Sequence, residues 1–255
     1  MSTTNPDRSP LAYKDEEFLD SEEARPLRIL AEYMQPMRAL ANEGVVGTIV
    51  FFGSARIRPG GPMHRFYDEA VELAGLVTQW CEREPALKGC VVCTGGGPGI
   101  MEAANRGASE AGGRSVGLNI GLPHEQRPNP HTPRELSFEF HYFFMRKLWF
   151  ASLARALVVF PGGFGTFDEL FEVLTLAQTR KLERSIPVVL YGSDYWNEVI
   201  NFEALARRGL IDREDLSLFH FADEPATALA VLQKGISAVP EEDAPAFAHS
   251  RRPPS

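Results

Sequence analysis

Apolar residues along this chain fall into short unbroken runs, separated by longer stretches in which they recur every three or four positions. Gly47–Phe52 (GTIVFF), Gly89–Cys93, Ser115–Ile120, Ala156–Phe160 and Ile186–Tyr191 are runs short enough for strands and apolar on both faces. Between them, Met63–Cys81 repeats Phe66, Ala70, Leu73, Ala74 and Val77 at helical spacing, and Ile100–Ala111 gathers Ala103, Ala104, Gly107 and Ala108 on one face. Met145–Ala154, Phe167–Thr179 and Asp194–Arg208 also have helical spacing. Upstream, residues 26–43 predict a helix bent at Pro36. Ser137–Phe144 alternates weakly, as a strand would, and Leu216–Phe221 with Glu224–Gln233 predict a last strand and helix.

Continuous apolar strands alternating with helices imply a parallel sheet covered on both sides. The expected fold class is therefore α/β, a Rossmann-like doubly wound parallel sheet in three α/β/α layers. One domain over residues 26–234 accounts for the pattern, between polar tails at 1–25 and 235–255 that are expected to be disordered. The N-terminal stretch has no apolar core of a signal peptide, and no run is long enough to span a membrane.

The bulk numbers narrow the chemistry. The 255 residues are 44% hydrophobic and 24% charged, ordinary for a globular domain, with a formal net charge of −8. An acidic surface argues against a nucleic-acid partner but leaves room for a small anion held by local amide dipoles. The sparse, odd set of cysteines (Cys81, Cys90, Cys93) suits a reducing, cytoplasmic setting. Cys90 and Cys93 have C-x-x-C spacing, but along a buried strand they point to opposite faces and no second ligand pair accompanies them, so no metal is expected.

Three predicted strands end in glycine-bearing turns: Gly53-Ser54, Gly95–Gly99 and Gly162–Gly165. In a doubly wound sheet these turns meet beyond the carboxyl ends of the strands, where ligands bind. Pro161-Gly162-Gly163-Phe164-Gly165-Thr166 has the composition of a phosphate cradle, with free amides at a helix start and a hydroxyl beside them. It lacks the lysine of a Walker A loop, and the Gly95–Gly99 turn does not fit a dinucleotide fingerprint. Glu169 follows Thr166 by three residues, and the spacing allows two readings. Thr166 and Glu169 could form a helix capping box. Alternatively, a carboxylate about 4–5 Å along the helix from a bound phosphate could face a ribose ring.

At these residues the chain resembles the LONELY GUY (LOG) family, the cytokinin riboside 5′-monophosphate phosphoribohydrolases long labelled lysine decarboxylases. Pro161–Glu169 is similar to the family's P-G-G-x-G-T-x-x-E motif, Arg146-Lys147 to its arginine–lysine element, Gly95–Met101 to its first glycine loop and Gly53-Ser54-Ala55 to its first strand end. The resemblance covers roughly residues 45–200. It implies a Rossmann-like fold, a homodimer or larger homo-oligomer, no cofactor, and hydrolysis of a nucleoside 5′-monophosphate to free base and ribose 5-phosphate. By position it makes Arg146 and Glu169 the catalytic pair and assigns phosphate binding to Gly162, Gly163, Gly165 and Thr166, helped by Gly96, Gly97 and Ser54. Decarboxylation has little support, because among five lysines only Lys147 lies near these motifs.

The chain departs from compact members by an N-terminal helical extension, a long loop over Gly121–Ser137 and a C-terminal addition. Such longer bacterial relatives look more like general AMP or purine/pyrimidine nucleotide nucleosidases than dedicated cytokinin activators. Within the long loop, Glu125 and Arg127 are lid candidates. The aromatic run Phe138, Phe140, Tyr142, Phe143 and Phe144 reads as core or dimer interface. Two non-enzymatic readings stand beside the nucleosidase: a carrier of a nucleotide or molybdenum cofactor on the same fold, and a nucleotide sensor.

Overall fold

The computed structural model describes residues 11–121, 128–182 and 186–237. Its centre is a seven-stranded sheet, β1 (Gly47–Phe52), β2 (Cys90–Thr94), β3 (Ser115–Ile120), β4 (Ser137–Phe140), β5 (Ala154–Val159), β6 (Val188–Tyr191) and β7 (His220–Ala222). The order across the sheet is β4-β3-β2-β1-β5-β6-β7, and every neighbouring pair is parallel. The chain therefore builds outward from β1 in one direction and then returns to β1 and builds in the other. The reversal between β1 and β5 is the switch point of a doubly wound α/β fold, and a crevice opens there beyond the strand ends.

The helices are α1 (Glu16–Asp20), α2 (Arg25–Asn42), α3 (His64–Arg83), α4 (Ile100–Glu110), α5 (Phe143–Leu153), α6 (Phe164–Gln178), α7 (Ser193–Val199), α8 (Phe202–Arg207) and α9 (Pro225–Ser237). One apolar cluster joins Ile49, Phe51, Val92 and Val158 to α3, α4 and α9. The other joins Val50, Phe52, Leu157 and Val159 to α2, α5, α6, α7 and α8. Alternate residues of the same strands feed the two layers, as the pleat requires. Cys90 falls in the first cluster and Cys93 in the second, both buried as free thiols, as their spacing on a strand dictates. α3 and α4 pack closely because Gly107 lies against the backbone of Val71, where a Cβ would come within 2.1 Å of the carbonyl oxygen.

Several boundaries differ from the sequence reading. Residues 11–25 contain a 3-10 turn (Ala12–Lys14) and α1, whose Asp15 caps it by accepting from the Phe18 amide at 3.1 Å. α9 runs on to Ser237, past the expected end of the domain. The helix expected over Asp194–Arg208 is two helices, broken where Ile200 is extended and Asn201 caps α8 through the Ala204 amide. β4 stops at Phe140 rather than Phe144, and α5 begins two residues early, so Phe143 and Phe144 are helical and half exposed while Phe138 and Phe140 are core. The last strand is three residues long and follows a 3-10 turn over Arg213–Ser217. No helix among the described residues is long and apolar enough to cross a membrane.

Candidate active site

The three glycine-bearing turns meet as expected, and backbone bonds to Ser54 pin them together. The Ser54 amide donates to the Pro161 carbonyl at 2.9 Å, and its carbonyl accepts from the Ile100 amide at 3.1 Å. The turn after β1 thus holds the turn after β5 with one group and the start of α4 with another. The Ser54 hydroxyl accepts from the Arg56 amide at 3.1 Å, leaving its own proton free to donate. Around this junction lies a cavity of about 650 Å³, whose walls include Ser54, Gly97, Asn119, Phe143, Arg146, Phe150, Gly163, Gly165, Thr166 and Glu169.

Two peptide units beside this cavity have their carbonyls taken by residues that do not line it. In a trans peptide the C=O of one residue and the N–H of the next point in opposite directions. The Gly162 carbonyl is tied back by the Tyr195 hydroxyl, so the Gly163 N–H points the other way. The Gly96 carbonyl accepts from the Asn129 amide at 2.9 Å and from its side chain at 3.0 Å, which turns the Gly97 N–H outward. Gly163 and Gly165 have nothing within 4 Å of where a Cβ would stand, so a ligand can approach their backbone directly. Gly96 and Gly162 do not line the cavity. Gly96 has a φ of +69° and donates its N–H to Thr94 Oγ1, and Gly162 is covered by the Thr166 side chain. Both support the wall rather than form its surface.

α6 starts three residues earlier than its apolar spacing suggests, with Gly163 as N-cap. The first bond of its ladder runs from the Phe167 amide to the Gly163 carbonyl at 3.0 Å, so the amides of Phe164, Gly165 and Thr166 precede it. Thr166 is therefore inside the helix, and the capping-box reading fails. Glu169, one turn further, is not folded back on the helix start. Its Oε1 accepts from Arg146 Nη2 at 2.6 Å, with the two side chains only 7% and 12% exposed. Its Oε2 makes no hydrogen bond among the described residues, and Arg146 Nε is buried without a partner. The Arg146 guanidinium also lies 5.3 Å from the Phe143 ring centre and 5.6 Å from that of Phe150. Burial pushes the Glu169 carboxyl up to about 7, against the opposing pull of Arg146 and then Lys147.

Lys147, the next residue on α5, also meets α6 but outside the cavity wall, bound to Asp168 at 2.7 Å and Glu172 at 3.2 Å. Burial lowers its pKa, but the hydrogen bonds to those carboxylates outweigh this and leave it raised. A lysine held charged and outside the cavity wall is a poor Schiff-base nucleophile. The lid candidates Glu125 and Arg127 lie outside the described residues.

Residues the motif reading passed over hold the first glycine loop. Asn129 is buried, and its Nδ2 donates to the carbonyls of Gly96 and Gly97 and to Asn105 Oδ1, at 3.0, 3.1 and 2.9 Å. Asn105 in turn accepts from Thr94 Oγ1 and donates to Ser115 Oγ. The network joins β2, α4, β3 and the end of the long loop. An asparagine among prolines carries no motif signal, and only its burial reveals the role.

Comparison with known proteins identifies the family and the fold. A family model described as "Possible lysine decarboxylase" matches residues 101–232. A rice protein (Oryza sativa subsp. japonica) named "Probable cytokinin riboside 5'-monophosphate phosphoribohydrolase" is 30% identical over 194 residues, which cover 74% of this chain and 77% of the relative. The chain belongs to the LOG family. An Arabidopsis thaliana LOG protein named as a cytokinin riboside 5′-monophosphate phosphoribohydrolase is 29% identical over 60% of this chain and 65% of its own length. Two solved structures share the fold: the structural-genomics target TM1055, with a TM-score of 0.53, 23% identity, and coverage of 74% of this chain and 99% of that one; and a Moco carrier protein from Chlamydomonas reinhardtii, with 0.50, 24%, 75% and 98%. At those identities the likeness concerns fold alone.

Asn129→Ala is expected to destabilise the protein by about 1–3 kcal/mol in urea unfolding, the usual cost of leaving a buried acceptor unsatisfied, here the Gly97 carbonyl. Asn129→Asp should cost more despite equal size, since a carboxylate cannot donate to three oxygens.

Proposed function

We propose that this LOG-family protein hydrolyses the bond between base and ribose in nucleoside 5′-monophosphates of the AMP type, giving free base and ribose 5-phosphate. The observation that carries the reading is the buried Arg146–Glu169 pair one helical turn beyond an open amide cradle. The 5′-phosphate sits against the amides of Gly163, Gly165 and Thr166, where the helix dipole and unpaired N–H groups favour an anion. The amide of Gly97 and the hydroxyl of Ser54 complete the cradle.

That placement sets the ribose beside Glu169, whose free Oε2 faces the sugar. As the C1′–N bond breaks, positive charge grows on the ring, and a carboxylate in a dry wall stabilises it strongly. Water adds its hydroxyl to C1′ and its other proton goes to the departing base. Arg146 holds Glu169 in place and brings a fixed positive charge to the cavity wall. The carrier reading draws on fold likeness alone; its mark would be saturable AMP binding with no adenine released. Cytokinin riboside monophosphates, the substrates in the relatives' names, remain within the same class.

We also assign the outer face of α5 and α6 to a second copy of this chain. Phe144, Leu148, Phe164 and Phe171 are all exposed there, and Phe164, at the rim of the cavity, is 94% exposed. Light scattering should give a dimer or larger oligomer, and Leu148→Glu should shift it toward monomer; a monomeric wild type ends this assignment.

Chromatography of wild type with AMP should show adenine release. Glu169→Gln, which keeps shape and loses charge, should lower kcat by at least about 10³-fold, and Arg146→Ala by about 10²-fold, with the fold retained by circular dichroism. Release undiminished in Glu169→Gln would refute the assignment. The ionised carboxylate is the working form, so kcat/KM should rise with pH and level off above about 7. The substrate phosphate's own second ionisation, near about 6, sets a separate limb below it. A profile already flat at pH 6.5 contradicts the burial of a functional Glu169.

A further inference from the structure

We propose that Glu32, on the N-terminal helix α2, is the positioning residue for the helix that carries Arg146. The inference rests on the nucleosidase reading for its catalytic consequence but on geometry alone for its structural half.

α5 has no cap of its own. Its N-cap is Tyr142, whose side chain makes no capping bond. The hold comes from another part of the chain and acts on the two residues that lead into the helix: Glu32 Oε1 accepts from the His141 amide at 2.7 Å and Oε2 from the Tyr142 amide at 3.3 Å. A carboxylate there also meets the positive end of the α5 dipole. The Tyr142 carbonyl then accepts from the Arg146 amide at 3.2 Å, so one peptide separates the contact of Glu32 from the backbone of Arg146.

The backbone of Glu32 provides a second hold. In a regular helix its carbonyl would accept from the amide of residue 36, but that residue is Pro36, which has no N–H. The freed carbonyl is taken by the indole N–H of Trp149 on α5 at 3.1 Å. Around these bonds, the Tyr33 ring lies 5.8 Å from that of Trp149, and the Arg25 guanidinium 5.6 Å from the ring of Tyr142. α2 therefore grips α5 before its first turn and again at its second, on either side of Arg146. The same helix places Phe143 and Phe150 in the cavity wall. The proline in α2 serves the contact: it leaves a carbonyl for α5 to use.

The test compares wild type with Glu32→Ala and Glu32→Gln, each alone and with Arg146→Lys. Amide hydrogen exchange over residues 141–150 reads positioning without any substrate, and kcat/KM for AMP reads its consequence. Glu32→Ala should speed exchange over 141–150 at least about tenfold, leave α9 unchanged, and lower kcat/KM about 10- to 100-fold, the scale on which small misplacements act. Glu32→Gln, whose single amide oxygen can accept from only one of the two amides, should fall between Glu32→Ala and wild type in both readouts. Beside Arg146→Lys, Glu32→Ala should cost less than about twofold more, because the two changes act through one group. Unchanged exchange in Glu32→Ala overturns the proposal, and so does an equal loss of kcat/KM with and without Arg146→Lys. If Glu32→Ala does not fold, Glu32→Asp takes its place: one methylene shorter, it cannot reach both amides, and unchanged exchange there overturns the proposal equally. A wild type that releases no adenine, yet shows the exchange pattern, sinks the nucleosidase reading and leaves the positioning role standing.

Discussion

The arrangement depends on keeping a carboxylate ionisable inside an apolar wall. Glu169 packs with Phe143 and Phe150 nearby and meets one cation, Arg146, at 2.6 Å. Burial disfavours its charge more than the arginine restores it, so the group titrates near neutrality rather than in the ordinary carboxylate range. Such a pair is useful only if both members are held from outside. Glu169 is held by α6, packed through Leu170, Val173 and Leu174 on the sheet. Arg146 is held by α5, which has no cap of its own and leans on α2.

Topology explains why an anion cradle lies beside that pair. The sheet reverses its growth between β1 and β5, so the helices that follow these strands, α3 and α6, cover opposite faces and leave a crevice that the turn after β2 borders. Each glycine loop would expose as many carbonyls as amides to a ligand if left free. Tyr195 and Asn129 remove that ambiguity by taking the Gly162 and Gly96 carbonyls from behind. The same rule of peptide geometry then sets the facing direction of Gly163 and Gly97 without any contact to the ligand.

The central strands and most helices were legible because burial on two faces leaves a continuous apolar run, as in β1 and β5. The glycine loops and the Arg146–Glu169 pair were legible because their residue types match a known arrangement. What escaped were features set by distant partners. Phe164–Thr166 reads locally as loop because it continues the glycine-rich run from Gly162, yet it is the first turn of α6. Thr166 and Glu169 have the spacing of a capping box, and the readings are separated by the early start of α6 and by Arg146, 23 residues upstream, which takes the carboxylate. Pro36 reads as a helix bend, while its consequence, a carbonyl given to Trp149, lies 117 residues away. Asn129 carries no local signal at all.

The raised carboxyl also has a cost that the fold must absorb. With a folded pKa near 7 against 4.5 in the open chain, the native state binds a proton more tightly than the unfolded state between those values. The stability this brings is fully present below pH 4.5 and is lost as the pH rises through 7, so near neutrality the ionised site works against the fold. A site tuned only for stability would bury a leucine at this position. Retaining an acid there, with a guanidinium clamped against it, makes sense when charge must appear on demand next to a cation forming in the cavity. The direction of this shift sets Glu169 apart from an acid buried to hold the fold together and places it with groups poised to change protonation in a cleft.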